Sequence, residues 1–310
     1  MGNGNHVADP KILRTRVYVD GYNFYYGCLK RTEFKWLDLK SLFESVLETV
    51  SLEVDGLPPQ FELETPAVKF FTAPILKNFA RAPDSVKCQV DYHAALQTHL
   101  GDHIEIVEGS YDARPARAHE YVKGKAAAEC DMYDIWKLEE KQSDVALALH
   151  AYGDAIRGKI DHAVFATNDT DLVPAMKAIR EHTDVSIGLV IPTRGKERQA
   201  NTSLDELAHW TRLSIKAEEL EAAQLPTPIR VSSRRLAHKP ISWYPRPDNL
   251  QPVFEEAKRV KKSASAAWKW LNTPNEEYFA GRRPVDMTVN DDEVAELWAY
   301  MQKYAEDHDL

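Results

Sequence analysis

Four aspartates carry the strongest chemical signal in this 310-residue chain. Asp20 stands in Val17-Tyr-Val-Asp-Gly-Tyr-Asn23, Asp144 in Glu140-Lys-Gln-Ser-Asp144, and Asp169 with Asp171 in Thr167-Asn-Asp-Thr-Asp171. Taken singly these are ordinary, since Asp-Gly marks turns and Asp-x-Asp caps helices. Gathered in one pocket they are not. Two carboxylates ~6 Å apart repel by about 3 kcal/mol at an effective dielectric of ~20, so a shared site raises their pKa values or spreads them apart. A hard divalent cation such as Mg2+ or Mn2+ relieves that repulsion through oxygen ligands. Such an ion also ionises a water and neutralises charge on a phosphodiester under attack. The expectation is a metal-assisted hydrolytic centre on Asp20, Asp144, Asp169 and Asp171. A phosphatase with Asp20 as nucleophile would want a second acid two residues on, where Tyr22 stands.

The elements that must position these acids follow from periodicity. Residues 14–20, 67–72, 103–108, 161–167 and 185–191 are short β-branched or apolar runs that predict strands. Residues 38–50, 84–100, 143–157 and 171–181 show helical spacing. Residues 111–130, rich in Arg, Lys and Ala, predict an insertion or hairpin. The alternation predicts an α/β fold with a parallel sheet and helices on both faces. Sheets of this kind bind ligands at the carboxyl ends of their strands, where Asp20, Asp169 and Asp171 fall.

The combination, in this order, resembles the NYN domain, a branch of the PIN-like nucleases with a Rossmann-like sheet. The likeness runs from about Arg14 to Arg212 and rests on Val17–Asn23, Glu140–His150, Asp154-Ala155, Phe165–Pro174 and Ser203–Ala208. It implies a metal-dependent endoribonuclease with Asp20, Asp144, Asp169 and Asp171 as the acidic cluster and Asn23 as its polar support. The alternative is a non-catalytic RNA-binding or regulatory scaffold that keeps the fold. Many members carry Lys-Gly-Val-Asp where this chain has Lys141-Gln-Ser-Asp144, and some place an acid where His150 stands. Asp154 is about three turns beyond Asp144, near 15 Å along the same helix, so pairing or capping suits it better than metal ligation.

The net charge of −9 conceals an uneven distribution. Residues 1–222 carry −9, 223–262 carry +6 and 263–310 carry −6. Cationic candidates for holding single-stranded RNA are Arg114, Arg117, Lys123, Lys125, Lys141, Arg194 and Arg198, with Tyr22, Phe24, Tyr25 and Tyr26 available for base stacking. The expected organisation is a flexible arm over 1–13, the nuclease domain over 14–222, a basic proline-rich linker over 223–251 and a small helical unit over 252–310. That last unit, with Trp268-Lys-Trp-Leu271, Pro274-Asn275 and Gly281-Arg-Arg-Pro284, resembles the toxin-binding domain of Xre–MbcA–ParS antitoxins. The resemblance implies a protein partner or a homodimer rather than catalysis. No apolar run approaches the ~18 residues of a membrane span. Three scattered cysteines and no secretory signal at the start fit a cytoplasmic protein.

Overall fold

The computed structural model describes residues 10–195 and 199–308. They fall into two units. One runs to Lys30 and resumes at Leu37–Gln224; the other joins Arg31–Trp36 to Leu225–Leu310.

In the first unit, among the described residues, a six-stranded sheet has the order β3-β2-β1-β6-β7-β8. Its strands are β1 (Ile12–Asp20), β2 (Gln60–Thr72), β3 (Ile104–Glu108), β6 (His162–Ala166), β7 (Ser186–Val190) and β8 (Trp210–Arg212). Every neighbouring pair is parallel. The remaining two strands, β4 (Ser110–His119) and β5 (Met132–Lys141), form a separate antiparallel hairpin inserted after β3. The helices of this unit are α1 (Gly21–Phe24), α2 (Leu39–Leu47), α3 (Ser85–Leu100), α4 (Ser143–Ile156), α5 (Val173–His182), α6 (Thr202–Asp205) and α7 (Ala217–Ala222). The fold is α/β, a parallel sheet flanked by helices and followed by a helical C-terminal region, as the alternation predicts.

Alternate side chains of a strand face opposite ways, and the core follows from that. Tyr18, Phe71, Phe165, Ile187 and Leu189 are buried with Leu147 and Ala151 of α4 and Met176 and Ile179 of α5. α2 begins at an Asp38 cap, whose side chain accepts the amide hydrogen of Ser41 at 3.0 Å. It buries Leu39, Leu42, Phe43, Val46 and Leu47. Gly188 has no room for a side chain: a Cβ there would lie 2.1 Å from the Trp210 indole.

The sheet also buries charge. Asp154 Oδ2 lies 2.9 Å from Arg16 Nη1 and 2.8 Å from Lys69 Nζ, and accepts the Tyr18 hydroxyl at 3.1 Å. Arg16 donates further to the carbonyls of Pro66 (2.7 Å) and Thr65 (3.0 Å). Asp154 therefore pairs, as its distance from Asp144 implied, and ties α4 to β1 and β2.

In the second unit, Ile229–Ser232 and Arg235–Ala237 form a short antiparallel pair. The helices are α8 (Pro247–Val260), α9 (Ala264–Asn272), α10 (Glu276–Phe279), α11 (Pro284–Met287) and α12 (Asp291–Asp307). The spacing over 253–271 predicts one helix, and the structure makes two. Lys262 adopts a left-handed conformation (φ 64°), and Ser263 caps α9 by accepting from the Ala266 amide at 3.1 Å. The stretch expected as a linker contains the short strand pair and the start of α8, whose first position is Pro247. Trp268 packs among His238, Tyr244 and Phe254. Trp36, from the short early segment, meets Trp243 edge-on at 6.3 Å. No helix among the described residues is long and apolar enough to cross a membrane.

Asp154→Ala would leave Arg16 buried without its counter-charge and Lys69 with only Glu105 at 3.2 Å, so it should lower the unfolding free energy by ~3–5 kcal/mol in urea titration. A loss under about 1 kcal/mol would refute the network's role. Burial pushes the Asp154 carboxyl up, but Lys69 and Arg16 outweigh it and hold it below its ordinary value of 3.8. A depressed folded pKa gives stability that is full above the unfolded value and lost as pH falls through the folded one. The mutant and parent should therefore converge in strongly acidic solution, not in alkali.

Candidate functional site

The sheet order reverses between β1 and β6, and the crevice beyond their carboxyl ends holds the acids. Asp20 ends β1 and is 6% exposed. Its Oδ1 accepts the Asn23 amide hydrogen at 2.9 Å, and its Oδ2 accepts the Thr167 hydroxyl at 2.8 Å. Thr167 Oγ1 in turn accepts from the Asp169 amide at 3.1 Å, and Asp169 Oδ1 from the Asp171 amide at 3.0 Å. A chain of hydrogen bonds thus runs from β1 across to the turn before α5. Asn23 supports the cluster through its backbone.

Asp144 sits in the first turn of α4, where the helix dipole favours an anion. Burial nevertheless raises its pKa, followed by Asp169, Glu140 and Asp171. The turn into α4 is strained. Gln142 has φ 79°, a conformation suited to glycine and costly for a residue with a Cβ. This is the position where the NYN pattern often has glycine.

Asp20 shows how the crowding is resolved. Burial raises its carboxyl to about 6, the bonds from Asn23 and Thr167 oppose the rise, and Asp144 and Asp169 add to it. Below about pH 6 a proton at Asp20 therefore relieves the crowding, and above it the carboxylate is held as a strained base. Among the described residues, no group of three or more His, Cys, Asp and Glu side chains is placed to hold a metal ion. Asp20, Asp144, Asp169 and Asp171 share an electrostatic neighbourhood without making such a group.

Aromatic residues surround the crevice. Phe24 is core, against Phe43 at 6.2 Å. Tyr22, Tyr25 and Tyr26 are 40–48% exposed. The helix widens to a π-turn over Tyr25–Leu29, a feature frequent at functional sites. Gly27 lets this turn approach the next loop, because a Cβ there would lie 1.8 Å from the Pro192 carbonyl oxygen.

The cationic candidates are mostly matched by acids. Arg114 is 3.4 Å from both Asp112 and Glu139, and Arg117 is 3.5 Å from Asp134. Lys141 lies 2.9 Å from Glu139, whose carboxyl Lys137 and Lys141 hold down to about 2. Lys123 and Lys125 are exposed in the connection between β4 and β5. Arg194 follows β7 and forms a bridge with Ile215. Arg198 lies outside the described residues. His150 Nδ1 lies 3.3 Å from Lys69 Nζ and 3.8 Å from Glu105.

No protein-family model matches the chain. It is 44% identical over 302 residues to 6-hydroxy-3-succinoylpyridine 3-monooxygenase HspA of Pseudomonas putida (strain DSM 28022 / S16), spanning 96% of both chains. The chain belongs to the HspA family. A crystal structure of a protein of unknown function from Vibrio parahaemolyticus RIMD 2210633 is 18% identical, with a TM-score of 0.37, over 68% of this chain and 97% of that one. Likeness at that level carries no argument about chemistry.

Membership of the HspA family corrects the functional expectation. A near-full-length relative that is a monooxygenase points to an oxidoreductase, not to a metal-dependent ribonuclease or an RNA-binding scaffold. The Mg2+ or Mn2+ centre falls with it, since the acids make no metal-holding group among the described residues. Charge crowding does not by itself require a cation, because burial of Asp20 raises its carboxyl and a proton can take up part of the charge.

A carboxyl whose folded pKa is raised stabilises the fold below its unfolded pKa, and that contribution is lost as pH rises through the folded value. With the folded value near 6 and the ordinary one at 3.8, ionised Asp20 costs on the order of 3 kcal/mol above pH 6. Asp20→Asn should therefore raise the thermal midpoint at pH 8 more than at pH 4.5. Equal shifts at the two pH values would show that Asp20 does not titrate near 6.

Proposed function

We propose that the chain is a monooxygenase acting on a hydroxylated pyridine that carries a keto-acid side chain. The observation that carries this reading is the 44% identity to HspA over almost the whole of both chains. A monooxygenase places one atom of O2 in its substrate and reduces the other to water, with two electrons from a donor.

The crevice supports a defined protein contribution. Each Asp20 oxygen accepts one hydrogen bond and keeps a lone pair for a ligand. A carboxyl held at about 6 is suited to general-base work near neutral pH. Asp20 accepts the hydrogen of the ring hydroxyl and takes that proton as positive charge develops on the ring. Thr167 fixes the orientation of the carboxyl, while Asp144 and Asp169 keep it basic.

A dinucleotide cofactor does not fit the same crevice. This strand order accommodates a pyrophosphate when a glycine-rich turn follows the first strand and opens a helix. Here the turn is Asp20-Gly-Tyr-Asn23, and the helix it opens is only four residues long. Gly21 serves packing, because a Cβ would lie 2.4 Å from the Phe71 carbonyl oxygen. The carboxylates of Asp144 and Asp169 would repel the phosphates. The three cysteines form no disulfide with one another, which suits a reducing cytosol.

The purified chain, given 6-hydroxy-3-succinoylpyridine and either reduced nicotinamide or reduced flavin, should consume O2 only when the pyridine is present. One atom of 18O should appear in the pyridine product by mass spectrometry. Asp20→Ala should lower kcat by ~10²–10⁴-fold. No substrate-dependent O2 uptake with either donor would sink the reading.

A further inference from the structure

The substrate reading above supplies a planar ring and, at the end of its acyl chain, a carboxylate. The Asp20 crevice accounts for the ring hydroxyl and leaves both of those unassigned. Three features at the same edge of the sheet remain unused.

The first is the tyrosine ledge just after Asp20. The Tyr22 and Tyr26 rings lie 4.5 Å apart, and Tyr25 meets Tyr26 edge-on at 5.3 Å. These are large apolar faces left open to solvent.

The second is one face of the hairpin. Residues directly opposite in an antiparallel pair share a face, so Tyr111 with Glu140, Ala113 with Leu138, and Pro115 with Trp136 lie on the same side. Tyr111 is influenced by Glu140, Tyr22 and Tyr26 together, so this face and the ledge border one space. Trp136 is 65% exposed and meets Phe79 edge-on at 5.7 Å. Phe79 belongs to the loop that follows β2, the strand beside β1.

The third is Arg81, two residues further along that loop. Parallel pairing of β1 with β2 brings the loop to the Asp20 edge of the sheet. Arg81 is exposed, forms no ion pair among the described residues, and its charge is felt at the hydroxyls of Tyr22 and Tyr25. Nearby Lys30 instead stands over the Tyr26 ring at 4.2 Å. A guanidinium fork matches a carboxylate with two parallel hydrogen bonds, and this one borders the tyrosine ledge.

We infer that the tyrosine ledge and the Trp136 face of the hairpin hold the heteroaromatic ring, and that Arg81 binds the terminal carboxylate of the acyl chain. Arg81 thereby selects pyridines bearing a keto acid over neutral ones. The carboxylates of Asp20, Asp144 and Asp169 sharpen the choice, since they repel an anionic ligand that lacks this partner.

The test is calorimetric titration of the full chain with two probes. These are 6-hydroxy-3-succinoylpyridine and 3-acetyl-6-hydroxypyridine, which keeps the ring and ketone but lacks the carboxylate. Arg81→Ala should weaken binding of the acid by ~10–100-fold, the usual worth of a charged hydrogen bond, and leave the methyl ketone unchanged. Arg81→Lys should recover part of the loss. Tyr22→Leu and Trp136→Leu should weaken both probes alike. If Arg81→Ala binds the acid as tightly as the parent, or loses both probes equally with an unchanged thermal midpoint, the assignment of Arg81 is wrong. A parent chain that binds neither probe overturns the substrate reading itself.

Discussion

The Asp20 carboxyl is buried at the point where the sheet reverses its order, with other acids close enough to oppose its ionisation. Two donors, the Asn23 amide and the Thr167 hydroxyl, hold it in place. The Thr167 bond joins the end of β1 to the end of β6, so the same contact closes the sheet at its carboxyl edge and fixes the most perturbed acid there. The Asp169 amide bonds to the other side of Thr167, which makes the turn before α5 part of the same arrangement. Losing the hydroxyl of Thr167 would therefore disturb both the turn after β1 and the turn before α5.

A second constraint lies behind the crevice, on the same face of β1. Residues 16, 18 and 20 project to one side, and α4 lies along them. At one end of the helix, Asp154 is fixed by Arg16, Lys69 and Tyr18. At the other, Asp144 meets the field of the remaining acids. One helix thus carries two aspartates with opposite fates. The first is surrounded by cations and kept ionised; the second is made easier to protonate by burial and, after it, by the acids nearby. Their difference arises from surroundings, not from residue type.

The sheet and its helices were legible in the sequence because buried strands such as His162–Ala166 and amphipathic helices such as α2 follow simple periods. The position of the acids at strand ends was legible for the same reason. What the acids do was not, because spacing reports proximity but not desolvation, and desolvation is the largest influence on Asp20. Arg81 gave no signal: one arginine in a loop has no period and no motif. Trp136 was hidden by the expectation that the insertion ends at residue 130, whereas β5 runs through Met132–Lys141. The break between α8 and α9 depends on a left-handed Lys262, a conformation that lysine does not announce.

The hairpin leaves the sheet and returns to it at nearly one point. Ser110 pairs with Lys141, and the Gly109 amide bonds to the Thr72 carbonyl at 2.7 Å. A Cβ on Gly109 would lie 2.5 Å from both the Lys141 carbonyl oxygen and the Ser143 hydroxyl, so the two stems are pressed together at the root. An insertion with adjoining ends contributes nothing to the hydrogen bonding of the strands beneath it. Its length, tip and ring-facing residues can therefore be exchanged while the acid crevice and its helix stay as they are. Evolution could retune which molecules this scaffold admits by replacing a single appendage.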